Sequence, residues 1–194
     1  AFTLLSAVDR DPNAIAIIDG QRVINYNNLL KMSSIVGSNL FSHGLHQGSH
    51  LVTLLQNNWQ ATIIYWACQL YGIIIVPLNW RTTSKELDYY LKDSEAKIVI
   101  FQDISSDAVS SSINSQGILK ISLNKSVDST FIFENLLNEN SKNIDYIKDN
   151  NLTSIMLYTS GTTGIGKGVP RSHFAERSAA IAHIAQNHYV YKEN

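Results

Sequence analysis

"SIMLYTSGTTGIGKGVPRSH", residues 154–173, is the stretch on which the fold turns. Its first part, Ser154 to Thr159, is apolar enough for a buried strand, and the residues after it pack nothing. Ser160, Gly161, Thr162, Thr163 and Gly164 offer hydroxyls and bare backbone, and Lys167 adds an ammonium. Glycine admits positive φ and lets backbone N–H groups approach an anion; hydroxyls donate, and lysine supplies a point charge. A strand feeding such a run is a phosphate-binding arrangement. A surface loop without a ligand is the plain alternative, and it leaves this concentration of residue types after a strand unexplained.

Gly161 to Lys167, "GTTGIGK", also fits the opening of G-x-x-x-x-G-K-[ST], the loop of P-loop nucleoside triphosphatases. The next position is Gly168, where that loop needs a hydroxyl to hold Mg²⁺. Val169-Pro170 then stands where a helix should begin, and a residue before proline is biased to extended geometry. The run is therefore expected to bridge two extended segments as a flap.

Upstream, helical and strand patterns alternate, the signature of an α/β layered fold. "AIAIIDGQRVIN" (14–25) reads as a hairpin turning at Asp19-Gly20. Leu29, Leu30, Ile35, Val36, Leu40 and Phe41 recur at helical spacing between Tyr26 and His43, with Gly44 as the stop. "HLVTLL" (50–55), "IIIVPL" (73–78) and "AKIVIF" (96–101) read as strands, separated by a helix from Trp59 to Tyr71 and one opened by Thr83-Ser84-Lys85-Glu86, which has capping-box spacing. A helix and a strand, "GILKI" (117–121), are expected between 102 and 130, and "FIFENLLNENS" (131–141) as a short helix. Ser172 is placed to cap a final helix running to about Gln186. No internal repeat, linker or domain boundary is visible.

A chain of 194 residues, 44% hydrophobic and 16% charged, can bury an ordinary core without disulfides. Its formal net charge of −1 supplies no basic field, which argues against duplex nucleic acid as a partner. Cys68 lies alone in an apolar run, reads as a buried thiol and excludes an internal disulfide; this fits a reducing compartment, and a cytoplasmic location is expected. The apolar stretch Ile63–Leu78 is broken by Gln69, Gly72 and Pro77 and is shorter than the ~20 residues of a membrane-spanning helix. The N-terminus has no basic region before its apolar residues and meets Asp9, Arg10 and Asp11 early, unlike a signal peptide.

"YTSGTTGIGKGVPRSH" closely resembles the Y-T-S-G-T-T-G-x-P-K-G-V-x-x-S-H signature of the AMP-forming adenylating enzymes: acyl-CoA synthetases, peptide-synthetase adenylation domains and firefly luciferase. "AIAIIDGQRVINYNNL" is similar to the family's N-terminal hairpin and helix start, and residues 48–100 to its G-D-x-V…P-L-N-x-R…E-L…D-S-x-A-K stretch. The resemblance implies an α/β, layered sheet-and-helix portion of the large N-terminal domain of the acyl-CoA synthetase/luciferase-like fold, residues 1–194 forming its N-terminal part. It also implies an activity: attack of a carboxylate on the α-phosphorus of MgATP, giving acyl-adenylate and pyrophosphate, then transfer to coenzyme A. Thr159, Ser160, Gly161, Thr162, Thr163, Gly164 and Lys167 would then grip the β- and γ-phosphates, Thr159 near Mg²⁺ and Lys167 as the catalytic cation. His173 would contact phosphate, orient the loop or pack at the helix start.

Gly166 departs from the signature's proline, which should widen the loop's conformational range and raise the entropy lost on closing over ATP. The family's later Mg²⁺-carboxylate, ribose and catalytic-lysine motifs have no match here, so the chain alone is expected to be an inactive N-terminal fragment. The resemblance implies a small-molecule carboxylic acid substrate, with fatty acid the expectation. A peptide-synthetase domain, a P-loop phosphotransferase and a non-catalytic nucleotide-binding fragment remain the alternatives, and the oligomeric state is open. The remaining marked residues read as structural. His43, His46 and His50 are expected in a solvated turn, Arg81 in an ion pair, and Trp59, Trp66 and Trp80 as packing aromatics.

Overall fold

Short runs of Val, Ile and Leu become strands buried on both faces, and hydroxyl or amide side chains start the helices that cover them. The structure, a computed structural model, describes residues 1–124, 129, 131–138, 144–159 and 166–189. In chain order it contains α1 (Phe2–Arg10), β1 (Ile15–Asp19), β2 (Arg22–Asn25), α2 (Tyr26–Ser42), β3 (His50–Leu54), α3 (Trp59–Tyr71) and β4 (Ile74–Leu78). There follow α4 (Ser84–Ser94), β5 (Ile98–Phe101), α5 (Ser106–Ser111), β6 (Leu119–Ser122), β7 (Phe131–Ile132), α6 (Phe133–Asn138), β8 (Thr153–Thr159), β9 (Lys167–Ser172) and α7 (His173–Asn187).

β1 and β2 form the expected hairpin, with Gly20 at φ +58° as a tight primed turn requires. The remaining strands make a seven-stranded sheet in the order β7-β6-β5-β3-β4-β8-β9. All pairings in it are parallel except β8–β9. Because side chains alternate along a strand, the sheet feeds two separate cores. Leu51, Ile75, Ile98, Ile100 and Ile121 pack with α1, α2, α3 and α6. Val52, Leu54, Val76, Val99 and Phe101 pack with Leu87 and Leu91 of α4 and Val109 of α5.

The helix starts follow the sequence. Asn25, Asn58 and Ser172 each accept the backbone N–H three residues on, and Thr83 and Glu86 form a reciprocal capping box. Three features differ from expectation. α1 had no assignment; Leu4, Leu5 and Val8 give it one apolar face against the core. Phe131–Ile132, expected as helix, pairs in parallel with β6 before α6 begins, as aromatic and β-branched residues at a sheet edge favour. His50 is not in a solvated turn: it opens β3, with Nε2 buried and unpartnered, and burial lowers its pKa. Among the described residues no helix is long and apolar enough to cross a membrane.

Candidate functional site

In parallel sheets flanked by helices, ligands gather outside the carboxyl ends of the strands. β8 runs parallel to β4, and Thr159 is the last residue at its carboxyl end. The chain then comes back as β9, antiparallel to β8, so that Thr159 lies directly opposite Lys167 and Tyr158 opposite Gly168. Opposed residues present their side chains on one face. A hydroxyl and an ammonium therefore stand side by side at the sheet's open end, both exposed. No carboxylate among the described residues pairs with Lys167. Ser160, Gly161, Thr162, Thr163 and Gly164 lie outside the described residues. The expected two extended segments are present, and Pro170 is accommodated because β9 is the edge strand, where a missing N–H breaks no ladder on the open side.

α4 forms the wall of this neck. The Tyr89 hydroxyl donates to the Gly166 carbonyl at 2.9 Å, and the Tyr158 hydroxyl donates to Asp93 at 2.6 Å. The Tyr90 and Tyr158 rings are 4.5 Å apart between centroids. Burial and the bonded Asp93 carboxylate push the Tyr158 hydroxyl well above its usual pKa, so it stays a neutral donor. Beside the rings a cavity of about 250 Å³ is lined by Leu78, Asn79, Arg81, Thr82 and Tyr90. Arg81 does not take up the expected ion pair with a described residue: its guanidinium lies 4.1 Å over the Trp80 ring. Trp59 packs against Phe133, and Trp66 against Tyr65, as expected of packing aromatics.

His173 is not brought to Lys167. It begins α7 at the far end of β9, about 20 Å away at the usual strand rise. Its side chain is buried, with Nε2 unpartnered. Burial, with a smaller push from the Ala1 ammonium and against Glu176, lowers its pKa to about 4. A depressed histidine binds its proton more readily when unfolded, so stability is complete above the unfolded value near 6.5 and is lost as pH falls toward 4. The melting temperature is expected to drop across that window, with a shallower drop in His173→Gln; an unchanged slope in that variant would count against this assignment.

The described residues contain no cluster of three or more His, Cys, Asp or Glu able to hold a metal ion. Of the expected Mg²⁺ set only the Thr159 hydroxyl is present in them. The Cys68 thiol is fully buried and its pKa is driven up by burial, which removes it as a nucleophile. Tyr89 carries no sequence signal, and Asp93 is marked in the sequence only as the first position of the D-S-x-A-K stretch, with no role attached. Tyr89 meets a residue 77 positions away, and no local pattern signals such a pair.

Comparison with known proteins gives the family and the fold. The family model described as AMP-binding enzyme matches residues 4–193. The chain is 30% identical to 2-succinylbenzoate–CoA ligase of Staphylococcus aureus over 196 aligned residues, covering 90% of this chain and 38% of that protein. It is 28% identical over 172 residues to the fatty acid:acyl-carrier-protein ligase ScoC of Streptomyces coeruleorubidus, covering 87% of this chain and 32% of that protein. The structure of o-succinylbenzoate coenzyme A synthetase from Bacillus subtilis in complex with ATP and magnesium superposes with a TM-score of 0.80 over 98% of this chain and 48% of that one. At 21% identity this last likeness shows the fold alone. The chain thus spans well under half the length of these two curated relatives.

Proposed function

The chain belongs to the AMP-binding enzyme family, and from that premise we propose that it carries the phosphate loop of an ATP-dependent, AMP-forming ligase. The ligase activates a carboxylic acid as its acyl-adenylate and passes the acyl group to a thiol, that of coenzyme A first. The observation that carries this reading is the cross-strand pair Thr159–Lys167 at the carboxyl end of a parallel strand, joined by the glycine- and hydroxyl-rich run 160–165.

In such a displacement the protein contributes positioning and charge stabilisation rather than covalent chemistry. Lys167 holds the terminal phosphate of the leaving pyrophosphate, and Ser160, Thr162 and Thr163 donate to its oxygens. Gly161 and Gly164 let the backbone approach. The Thr159 hydroxyl is the proposed contact to Mg²⁺, which neutralises the phosphate charge. His173, placed at the other end of β9, is left out of the set. The acid is proposed as a fatty acid, the class on which one relative acts; an aryl acid is the alternative, because another is a 2-succinylbenzoate ligase. The 194 residues alone are proposed to be inactive in adenylation.

The test is the nucleotide product formed by the full-length gene product from ATP, Mg²⁺, coenzyme A and a panel of fatty and aryl acids. AMP with pyrophosphate, dependent on the acid, is the expected result. ADP with phosphate overturns it in favour of a phosphotransferase of the P-loop kind.

A further inference from the structure

Glycine at 166 has no side chain to limit its own φ and ψ, so order at the neck of the loop has to be imposed by neighbours. The Tyr89 hydroxyl donates to the Gly166 carbonyl at 2.9 Å. That carbonyl belongs to the peptide plane whose nitrogen is that of Lys167, and a peptide plane moves as one unit. One bond from α4 therefore sets the plane from which Lys167 projects.

Other contacts make α4 a fixed post. Tyr158 bonds Asp93 at 2.6 Å, and the Tyr89 ring packs edge-on against Tyr90 and Tyr158 with centroids 5.5 and 6.3 Å away. The approach is also close: a Cβ at 166 would lie 3.2 Å from the Thr159 carbonyl oxygen and 3.4 Å from the Tyr90 hydroxyl. The β8–β9 register ends at Thr159 opposite Lys167, so Gly166 lies just outside the paired residues and Tyr89 is the side chain that reaches its carbonyl.

We infer that Tyr89 is a positioning residue for Lys167, holding the neck of the phosphate loop in the orientation that receives ATP. This rests on the reading of the loop as the ATP site. The Tyr89→Phe substitution removes the hydrogen bond and keeps the ring. In the full-length gene product it is expected to raise KM for ATP about fivefold, the equivalent of one ordinary hydrogen bond. KM for the acid stays within twofold, and kcat falls far less than in Lys167→Ala, because the ammonium is displaced and not removed. In a Lys167→Ala background the same substitution is expected to add nothing, because its effect passes through that ammonium. Hydrogen exchange in the peptide covering 166–172 is expected to quicken severalfold in Tyr89→Phe, a readout independent of activity.

An unchanged KM for ATP in Tyr89→Phe overturns the inference while leaving the ATP site standing, provided Lys167→Ala is impaired. A lowered melting temperature with an effect of Tyr89→Phe that persists in full in the Lys167→Ala background reduces Tyr89 to a packing residue. If Lys167→Ala is itself silent, the ATP reading fails and this inference fails with it.

Discussion

Lys167→Ala is expected to lower acid-dependent AMP formation by the full-length gene product about 100- to 1,000-fold, the usual cost of deleting one preorganised donor to developing charge. The structural basis is an exposed ammonium, unpaired with any described carboxylate, fixed opposite Thr159 at the open end of the sheet. An ammonium so placed contributes nothing obvious to folding. The melting temperature is accordingly expected to stay within about 2 °C, since exposed substitutions away from caps and cores rarely exceed about 0.5 kcal/mol. Lys167→Arg keeps the charge but spreads it over a planar fork, and is expected to recover only part of the rate. Initial rates of pyrophosphate release for the three proteins decide the matter. A loss below about threefold in Lys167→Ala would remove Lys167 from the chemistry.

The two segments that flank the loop could be read from residue order because their logic is local. A strand, a glycine- and hydroxyl-rich run, a lysine and a Val-Pro step dictate two extended segments, and β8 and β9 are those segments. The helix starts were legible for the same reason: Thr83 and Glu86, or Ser172 and its cap, act across three residues. What could not be read depends on contacts between distant parts. Nothing near Tyr89 announces Gly166, and nothing near Arg81 announces that it stacks on its neighbour Trp80 rather than meeting a carboxylate. His173 shows the limit most clearly. It stands in the signature only six positions after Lys167, yet an extended strand carries it to the opposite end of the sheet, under α7. α1 escaped because its short apolar face has meaning only against a core built from later residues.

Gly37→Ala is expected to destabilise the chain by about 2 kcal/mol or more, the larger of the stability effects foreseen here. A Cβ at 37 would lie 2.2 Å from Cδ2 and 2.5 Å from Cε2 of Tyr71, and 3.2 Å from the Ala67 carbonyl, so α2 and α3 meet through the absence of a side chain. The ring cannot swing aside cheaply. Its hydroxyl donates to the Ser34 carbonyl at 3.1 Å, and Phe41 and Tyr146 stand against it with centroids 5.7 and 5.5 Å away. Alanine's better helix propensity returns only about 1 kcal/mol, less than the overpacking removes. Gly117→Ala is the control, because open space surrounds that position, and its midpoint in urea is expected to match the parent chain. Placing Gly37→Ala in a Tyr71→Leu background tests the cause: if the ring is the obstacle the penalty shrinks, and if it persists in full the Ala67 backbone is what forbids a Cβ. α3 leads into β4, which pairs with β8, and Gln69 of α3 accepts from the Ser154 hydroxyl of β8, so the damage enters at the start of β8, away from Lys167. The enzyme that remains folded is therefore expected to keep its KM for ATP, in contrast to the loss expected when Tyr89 gives up its hydroxyl.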